Sequence, residues 1–176
     1  MENREVTLYE VLDFREKKAG IQAEMRAQCP GGIVVSLGMN IPGPVKSGPL
    51  FYEAFLEGKR SLEGMLKTQQ GKVMQMAVLE ENAGYAAIYF LSGADGGMLK
   101  KEAVFLEESH ALGRLFDIDV EGQDGRLMSR VQAGTGKRTC LICGKEAKAC
   151  GRNRTHSVKE LQDKVLEIIG AWKREE

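Results

Sequence analysis

Net charge is the first thing this sequence lacks. Its 25 Lys and Arg balance 25 Asp and Glu, so no global field draws the chain toward nucleic acid or a membrane surface. Long apolar runs are missing too, and nothing approaches the roughly 18 residues of a transmembrane helix. The opening Met1-Glu2-Asn3-Arg4-Glu5 has no basic stretch leading into an apolar one, so no signal peptide is expected and the expected location is the cytoplasm. Cysteine is scarce: Cys29 stands alone, while Cys140, Cys143 and Cys150 cluster. That distribution suits a reducing compartment better than a disulfide framework. No internal repeat or low-complexity segment occurs, and few aromatics stand near the basic residues, which counts against a nucleic-acid platform.

What is present is ordinary for a globular protein. The 176 residues are 43% hydrophobic and 28% charged, enough for one domain, residues 1–176, with a core of its own. Thr7 and Glu10 have capping-box spacing and open an expected helix over 8–28. Leu8, Val11, Leu12, Ile21 and Met25 form its apolar face, Gly20 weakens it, and Arg15-Glu16-Lys17-Lys18 is its solvated side. A turn at 29–32 precedes a β-branched strand at 33–37. Residues 49–70 read as a helix that Gly58 and Gly64 weaken or split. Residues 73–79 and 84–91 read as an antiparallel hairpin, followed by a helix over 95–109 with Asp95 as N-cap. A strand over 115–121 is expected to turn at 123–125 and pair back through 126–131. Ser157 and Glu160 cap a last helix over 157–174, with Leu161, Val165, Leu166, Ile168 and Ile169 inward and Trp172 closing it. The expected fold is α+β, a mixed or antiparallel sheet flanked by helices.

Chemistry concentrates at 107–120. Side chains alternate along a strand, so Asp117 and Asp119 share one face while Phe116, Ile118 and Val120 share the other. Two carboxylates about 7 Å apart along a strand, after a Gly113-Arg114 turn, can bind a hard cation such as Mg²⁺. Asp is disfavoured in strands, and two in one short strand ask for a reason. His110 beside them is either a general base or a packing histidine.

The loop Asn40-Ile41-Pro42-Gly43-Pro44-Val45-Lys46-Ser47-Gly48 is either a phosphate cradle, through its backbone amides and Lys46, or a stiff connector. Gly134-Thr135-Gly136-Lys137 is no P-loop, because Val131 and Arg138 stand where that motif needs glycine and a hydroxyl. Residues 137–154 carry Lys137, Arg138, Lys145, Lys148, Arg152 and Arg154 against Glu146. This is a local patch for phosphates or an acidic partner, or else a solvated loop. The segment 137–156 also holds Cys140-x-x-Cys143, Cys150 and His156, either three thiolates and an imidazole closing a tetrahedral zinc site or packing thiols.

Read together, these motifs resemble a known family. Glu10-x-Leu12-x-x-Arg15-Glu16, Pro42-Gly43-Pro44-x-Lys46, Ser109-His110-x-Leu112-Gly113-Arg114-Leu115-x-Asp117-Ile118-Asp119-Val120, Arg138-x-Cys140-Leu141-x-Cys143 and Cys150-x-Arg152-x-x-x-His156 are similar to the apo-citrate lyase phosphoribosyl-dephospho-CoA transferases. The resemblance covers nearly the whole chain. It implies transfer of a prosthetic group from 2'-(5''-triphosphoribosyl)-3'-dephospho-CoA to a serine of the citrate lyase acyl carrier protein (gamma subunit), with loss of diphosphate. In outline that is nucleotidyl transfer onto a protein hydroxyl, for which a nucleotidyltransferase-like fold is one arrangement. It further implies Mg²⁺ on Asp117 and Asp119, Glu107 as a third carboxylate, and His110 as the base for the serine. Arg114, Gly113, Lys46, Arg138 and Arg152 would meet the donor. The other classes are a nucleotidyltransferase with a different acceptor and a non-catalytic zinc module.

Overall fold

The computed structural model describes residues 4–28 and 30–175; the expectations placed on Met1 to Asn3 and on Cys29 lie outside them. Four strands form one antiparallel sheet in the order β2-β3-β1-β4, where β1 is Ile33–Met39, β2 Lys72–Glu81, β3 Gly84–Ser92 and β4 Phe116–Glu121. The five α-helices among the described residues are α1 Leu8–Gln28, α2 Pro49–Thr68, α3 Gly96–Ser109, α4 Ala147–Asn153 and α5 Val158–Glu175. The α+β class and the antiparallel sheet are as the alternation required.

Strand parity divides the molecule into two unequal faces. Ile33, Val35 and Leu37 of β1, with Tyr85, Tyr89 and Leu91 of β3 and Phe116, Ile118 and Val120 of β4, build the main core. Phe55 and Leu62 of α2, Leu99 and Ala103 of α3 and Val165 and Ile169 of α5 cover it. The opposite face carries a small cluster of Val34, Ile88 and Phe90, which α1 covers with Ile21 and Met25. Register puts Asp119 opposite Ser36 and Asp117 opposite Gly38, on this thinly covered face.

Both capping boxes form. The Thr7 N–H donates to Glu10 at 2.8 Å and the Glu10 N–H to Thr7 Oγ1 at 3.2 Å; Ser157 and Glu160 repeat the pattern at 2.8 and 3.2 Å. The Arg4 side chain, then the Thr7 backbone and hydroxyl, hold the Glu10 carboxyl down at about 2.

Other expectations change. α1 runs unbroken through Gly20 and buries Met25 as expected, but Leu8 and Leu12 are exposed while the polar Gln22 is buried against Glu121 and Ser36. Lys18 belongs to that meeting face and not to the solvated one. On α5, Leu166 is exposed. Residues 126–131 form no strand; one bridge joins Glu121 and Leu127 before the chain turns inward to deliver Arg130. α4 falls inside what read as a basic loop.

Gly58 does not split α2. A Cβ there would lie 2.6 Å from the Phe116 ring, so glycine lets the helix approach β4. Gly58→Val is expected to lower the stability measured by urea unfolding by about 1–3 kcal/mol through overpacking, whereas at Gly64, where a Cβ meets nothing within 4 Å, Gly64→Ala should be neutral or stabilising.

Candidate functional site

β4 is an edge strand, and an edge leaves backbone groups that need partners. Side chains supply most of them. Lys100 donates to the Ile118 carbonyl at 2.7 Å, and Glu107 accepts from the Ile118 N–H at 2.8 Å. Both project from α3 and both are buried. Arg138 donates to the carbonyls of Arg114 at 2.9 Å and Phe116 at 2.7 Å, and the Met128 N–H closes the series on the Val120 carbonyl at 2.8 Å. The strand bearing the aspartates is thus fixed along its outer edge by two buried charges and a guanidinium.

Glu107 is fully used by this task. Besides Ile118 it takes an ion pair from Arg130, and Arg138 lies 3.9 Å away. It does not join Asp117 and Asp119 on their face. The third carboxylate of that face is Glu121, two residues beyond Asp119 on the same strand parity.

A polar stripe of α1 runs beside these carboxylates. Lys18 lies 3.6 Å from Asp119; Gln22 donates to Glu121 at 2.6 Å and to Ser36 at 3.4 Å, and Arg26 pairs with Glu121. Burial, and then the like charge of Asp117, push the Asp119 carboxyl above the ordinary carboxylate range, with Lys18 and Lys100 opposing. Asp117 is the more exposed of the two and receives Arg138 at 3.1 Å.

Asp117 also lines a cavity of about 770 Å³ whose walls include Asn40, Pro42, Arg114, Arg138, Lys148, Arg154 and Leu161. Four cations against one carboxylate give its wall an excess of positive charge, which suits anions. Arg114 is positioned by its bond to the Thr139 carbonyl; burial, then Arg138 and Arg130, lower its pKa, yet a guanidinium stays charged. Arg154 adopts a left-handed backbone, φ 47°, at the end of α4. That reversal brings Arg154 and His156 to the cavity wall.

The far wall is the cysteine cluster. The ligand atoms of Cys140, Cys143, Cys150 and His156 all lie within 4.8 Å of one another, with Cys143 Sγ 3.5 Å from Cys150 Sγ. His156 Nε2 is buried with no hydrogen-bond partner among the described residues, a costly state for a polar atom unless something ligates it. Three sulfurs and an imidazole fit a tetrahedral metal centre. The Lys145 backbone N–H, then the His156 ring, draw the Cys143 thiol down to about 6, while Cys143 pushes its neighbour Cys150 up.

The remaining expected residues have other surroundings. His110 caps α3; its Nδ1 accepts from the Leu112 N–H at 3.0 Å and its Nε2 faces Glu57 at 3.4 Å, with the ring against Phe116. Both nitrogens are engaged. Gly113 lies where a Cβ would stand 2.6 Å from the carbonyls of Leu106 and Glu107, so its role is close backbone approach. Lys46 bonds the Ile41 carbonyl in its own loop, and burial, then Arg15, lower its pKa. Arg152 is exposed on α4. Lys46 and Arg152 do not line the cavity, whereas Lys148 and Arg154, read only as part of a basic patch, do. Lys18 and Glu121 were missed, although strand parity pointed to Glu121.

Comparison with known proteins gives a consistent picture. Residues 6–172 match the family described as apo-citrate lyase phosphoribosyl-dephospho-CoA transferase. A protein of Streptococcus pyogenes serotype M5 (strain Manfredo) named "Probable apo-citrate lyase phosphoribosyl-dephospho-CoA transferase" is 34% identical over 170 residues, 95% of this chain and 87% of its own. One of the same name from Vibrio cholerae serotype O1 (strain M66-2) is 33% identical over 135 residues, 77% of this chain and 76% of its own. The Leuconostoc mesenteroides subsp. cremoris "Protein CitXG" is 31% identical over 165 residues, which are 93% of this chain but 35% of that protein.

Proposed function

The chain belongs to the apo-citrate lyase phosphoribosyl-dephospho-CoA transferase family, and from that premise we propose that it moves the phosphoribosyl-dephospho-CoA group from 2'-(5''-triphosphoribosyl)-3'-dephospho-CoA to a serine of the citrate lyase acyl carrier protein. The serine Oγ attacks the phosphorus nearest the ribose and gives its proton to solvent water, and the bond to the departing diphosphate breaks. A phosphodiester remains. The observation that carries this reading is the placement of Asp117 on a cavity walled by Arg114, Arg138, Lys148 and Arg154, since a triphosphate needs several cations and a nucleotidyl-transfer site needs carboxylates beside them.

Each residue then has a task. Arg114 and Arg138 are planar forks suited to phosphate oxygens, and Arg138 also neutralises Asp117 until substrate arrives. Lys148 and Arg154 extend the positive wall for the rest of the triphosphate. Asp117 and Asp119 would hold Mg²⁺; the raised Asp119 beside a like charge is a pair that a divalent cation relieves. When bound, Mg²⁺ supplies charge stabilisation to the phosphoryl oxygens and the leaving diphosphate. The Cys140, Cys143, Cys150 and His156 cluster would hold Zn²⁺, which its soft donor set selects. No helix among the described residues is long and apolar enough to cross a membrane, and we place the reaction in the cytoplasm, where the carrier protein would be met in solution.

The test is to incubate the protein with apo acyl carrier protein, the triphosphoribosyl donor and Mg²⁺, and to read the carrier's intact mass. A gain equal to the phosphoribosyl-dephospho-CoA group is expected. No gain with folded protein, or a gain on another acceptor only, overturns the assignment. In the same assay Arg114→Ala is expected to raise the donor KM by about tenfold or more, for loss of roughly 1.5–3 kcal/mol of charge-assisted bonding.

A further inference from the structure

Resting on the zinc reading above, we propose that the metal held by Cys140, Cys143, Cys150 and His156 is the fastener that folds residues 137–157 against β4, so that the cationic wall of the cavity exists only in the metal-loaded protein. Apart from the Arg138 and Thr139 bonds at its start, the segment has little apolar burial to hold it. Its buried side chains are Cys140 and Cys150, both ligands, and only the partly buried Leu141 reaches the main core. α4 is seven residues long, too short to persist on its own. Four ligands drawn from a knuckle, a short helix and the turn after it close 17 residues, 140 to 156, around one point.

That point is directly connected to the substrate wall. Arg138 and Thr139 immediately precede Cys140. The Arg138 guanidinium clamps the Arg114 and Phe116 carbonyls and Asp117, the Arg138 carbonyl accepts from the Ala147 N–H at 2.9 Å, and the Thr139 carbonyl receives Arg114. On the other side, the chain between Cys150 and His156 supplies Arg154, and Ser157 opens α5. Removing the metal would leave the buried His156 Nε2 and three sulfurs without a common partner, and release the cations between them. The metal is therefore a positioning group for the wall, with no contact to the reacting phosphorus required of it.

The experiment has two parts on the full chain, purified under reducing conditions with zinc in the growth medium. Metal content is measured first, and about one zinc per chain is expected in wild type, with loss in Cys143→Ser and in His156→Ala. Backbone hydrogen exchange is then compared for wild type before and after chelation, with inorganic tripolyphosphate as the anion probe. The expectation is that chelation strips protection from residues 137–157 and lowers tripolyphosphate affinity by about tenfold or more, while β1 and β3 stay protected. Zinc present but exchange and affinity unchanged on its removal overturns the fastener and keeps the zinc site. No zinc, or a Cys143 to Cys150 disulfide in its place, overturns both. Neither result touches the carrier-mass assay, so the transfer reading stands or falls separately. Chelation of folded wild type keeps the test decisive if the variants do not fold.

Discussion

Asp117→Asn/Asp119→Asn is expected to slow carrier modification by about three orders of magnitude or more, the rate equivalent of the several kcal/mol that a carboxylate-held cation contributes to phosphoryl transfer, without unfolding the protein. The second half of that expectation follows from the first site's electrostatics. The Asp119 carboxyl is pushed up by burial and by Asp117. A carboxylate raised in the folded state binds its proton more tightly there than in the unfolded chain. Stability therefore falls as pH rises from the unfolded pKa through the folded one, and at neutral pH the ionised group is a burden on the fold. Asparagine removes that burden, so thermal unfolding of Asp119→Asn at neutral pH should occur at or above the wild-type temperature. The advantage should vanish in acid, where wild type is protonated too. Rate from intact carrier mass and unfolding temperature between about pH 4 and about pH 8 check the two halves. A double variant that still transfers at the wild-type rate would remove these residues from the chemistry and leave the family untouched.

How far the site could be read from sequence depended on whether a residue's role was set locally. Strand alternation is local, and it put Asp117 and Asp119 on one face and Phe116, Ile118 and Val120 in the core. Capping boxes are local, and Thr7 with Glu10 and Ser157 with Glu160 formed as their spacing required. The Cys140 to His156 convergence was also legible, because a metal-type donor set carries its own geometry. What sequence did not reveal was set by partners far along the chain. Lys18 looked solvated because nothing near it in sequence is acidic and strand-borne; it meets Asp119 about a hundred residues later. Leu8 and Leu12 looked buried because periodicity assumes a wholly apolar contact stripe, whereas α1 turns Lys18, Gln22 and Arg26 to the sheet beside Ile21 and Met25 and leaves both leucines exposed. Lys46 looked free for phosphate because no sequence rule shows that its own loop doubles back on it.

Glu107 is the sharpest of these cases, and its substitution separates the two accounts of it. As a third metal carboxylate it would be exposed to the cavity, and Glu107→Gln would cost rate but little stability. The structure instead buries it at 3% exposure between the Ile118 N–H and the Arg130 guanidinium. Removing the carboxylate leaves the Ile118 N–H without its acceptor and Arg130 with only the exposed Glu108, so Glu107→Ala is expected to lower stability by about 3 kcal/mol. Glu107→Gln keeps an acceptor for Ile118 but not the charge facing Arg130, and a loss of about 1–3 kcal/mol is expected. Transfer per folded molecule, assayed well below the unfolding temperature, should stay near wild type in Glu107→Gln, because Arg138 retains its own anchors on Arg114, Phe116 and Asp117. Urea unfolding with the carrier-mass assay decides. Stability held with rate lost would return Glu107 to the chemistry. Stability lost with rate held would place it at the edge of β4, holding straight the strand on which the aspartates stand.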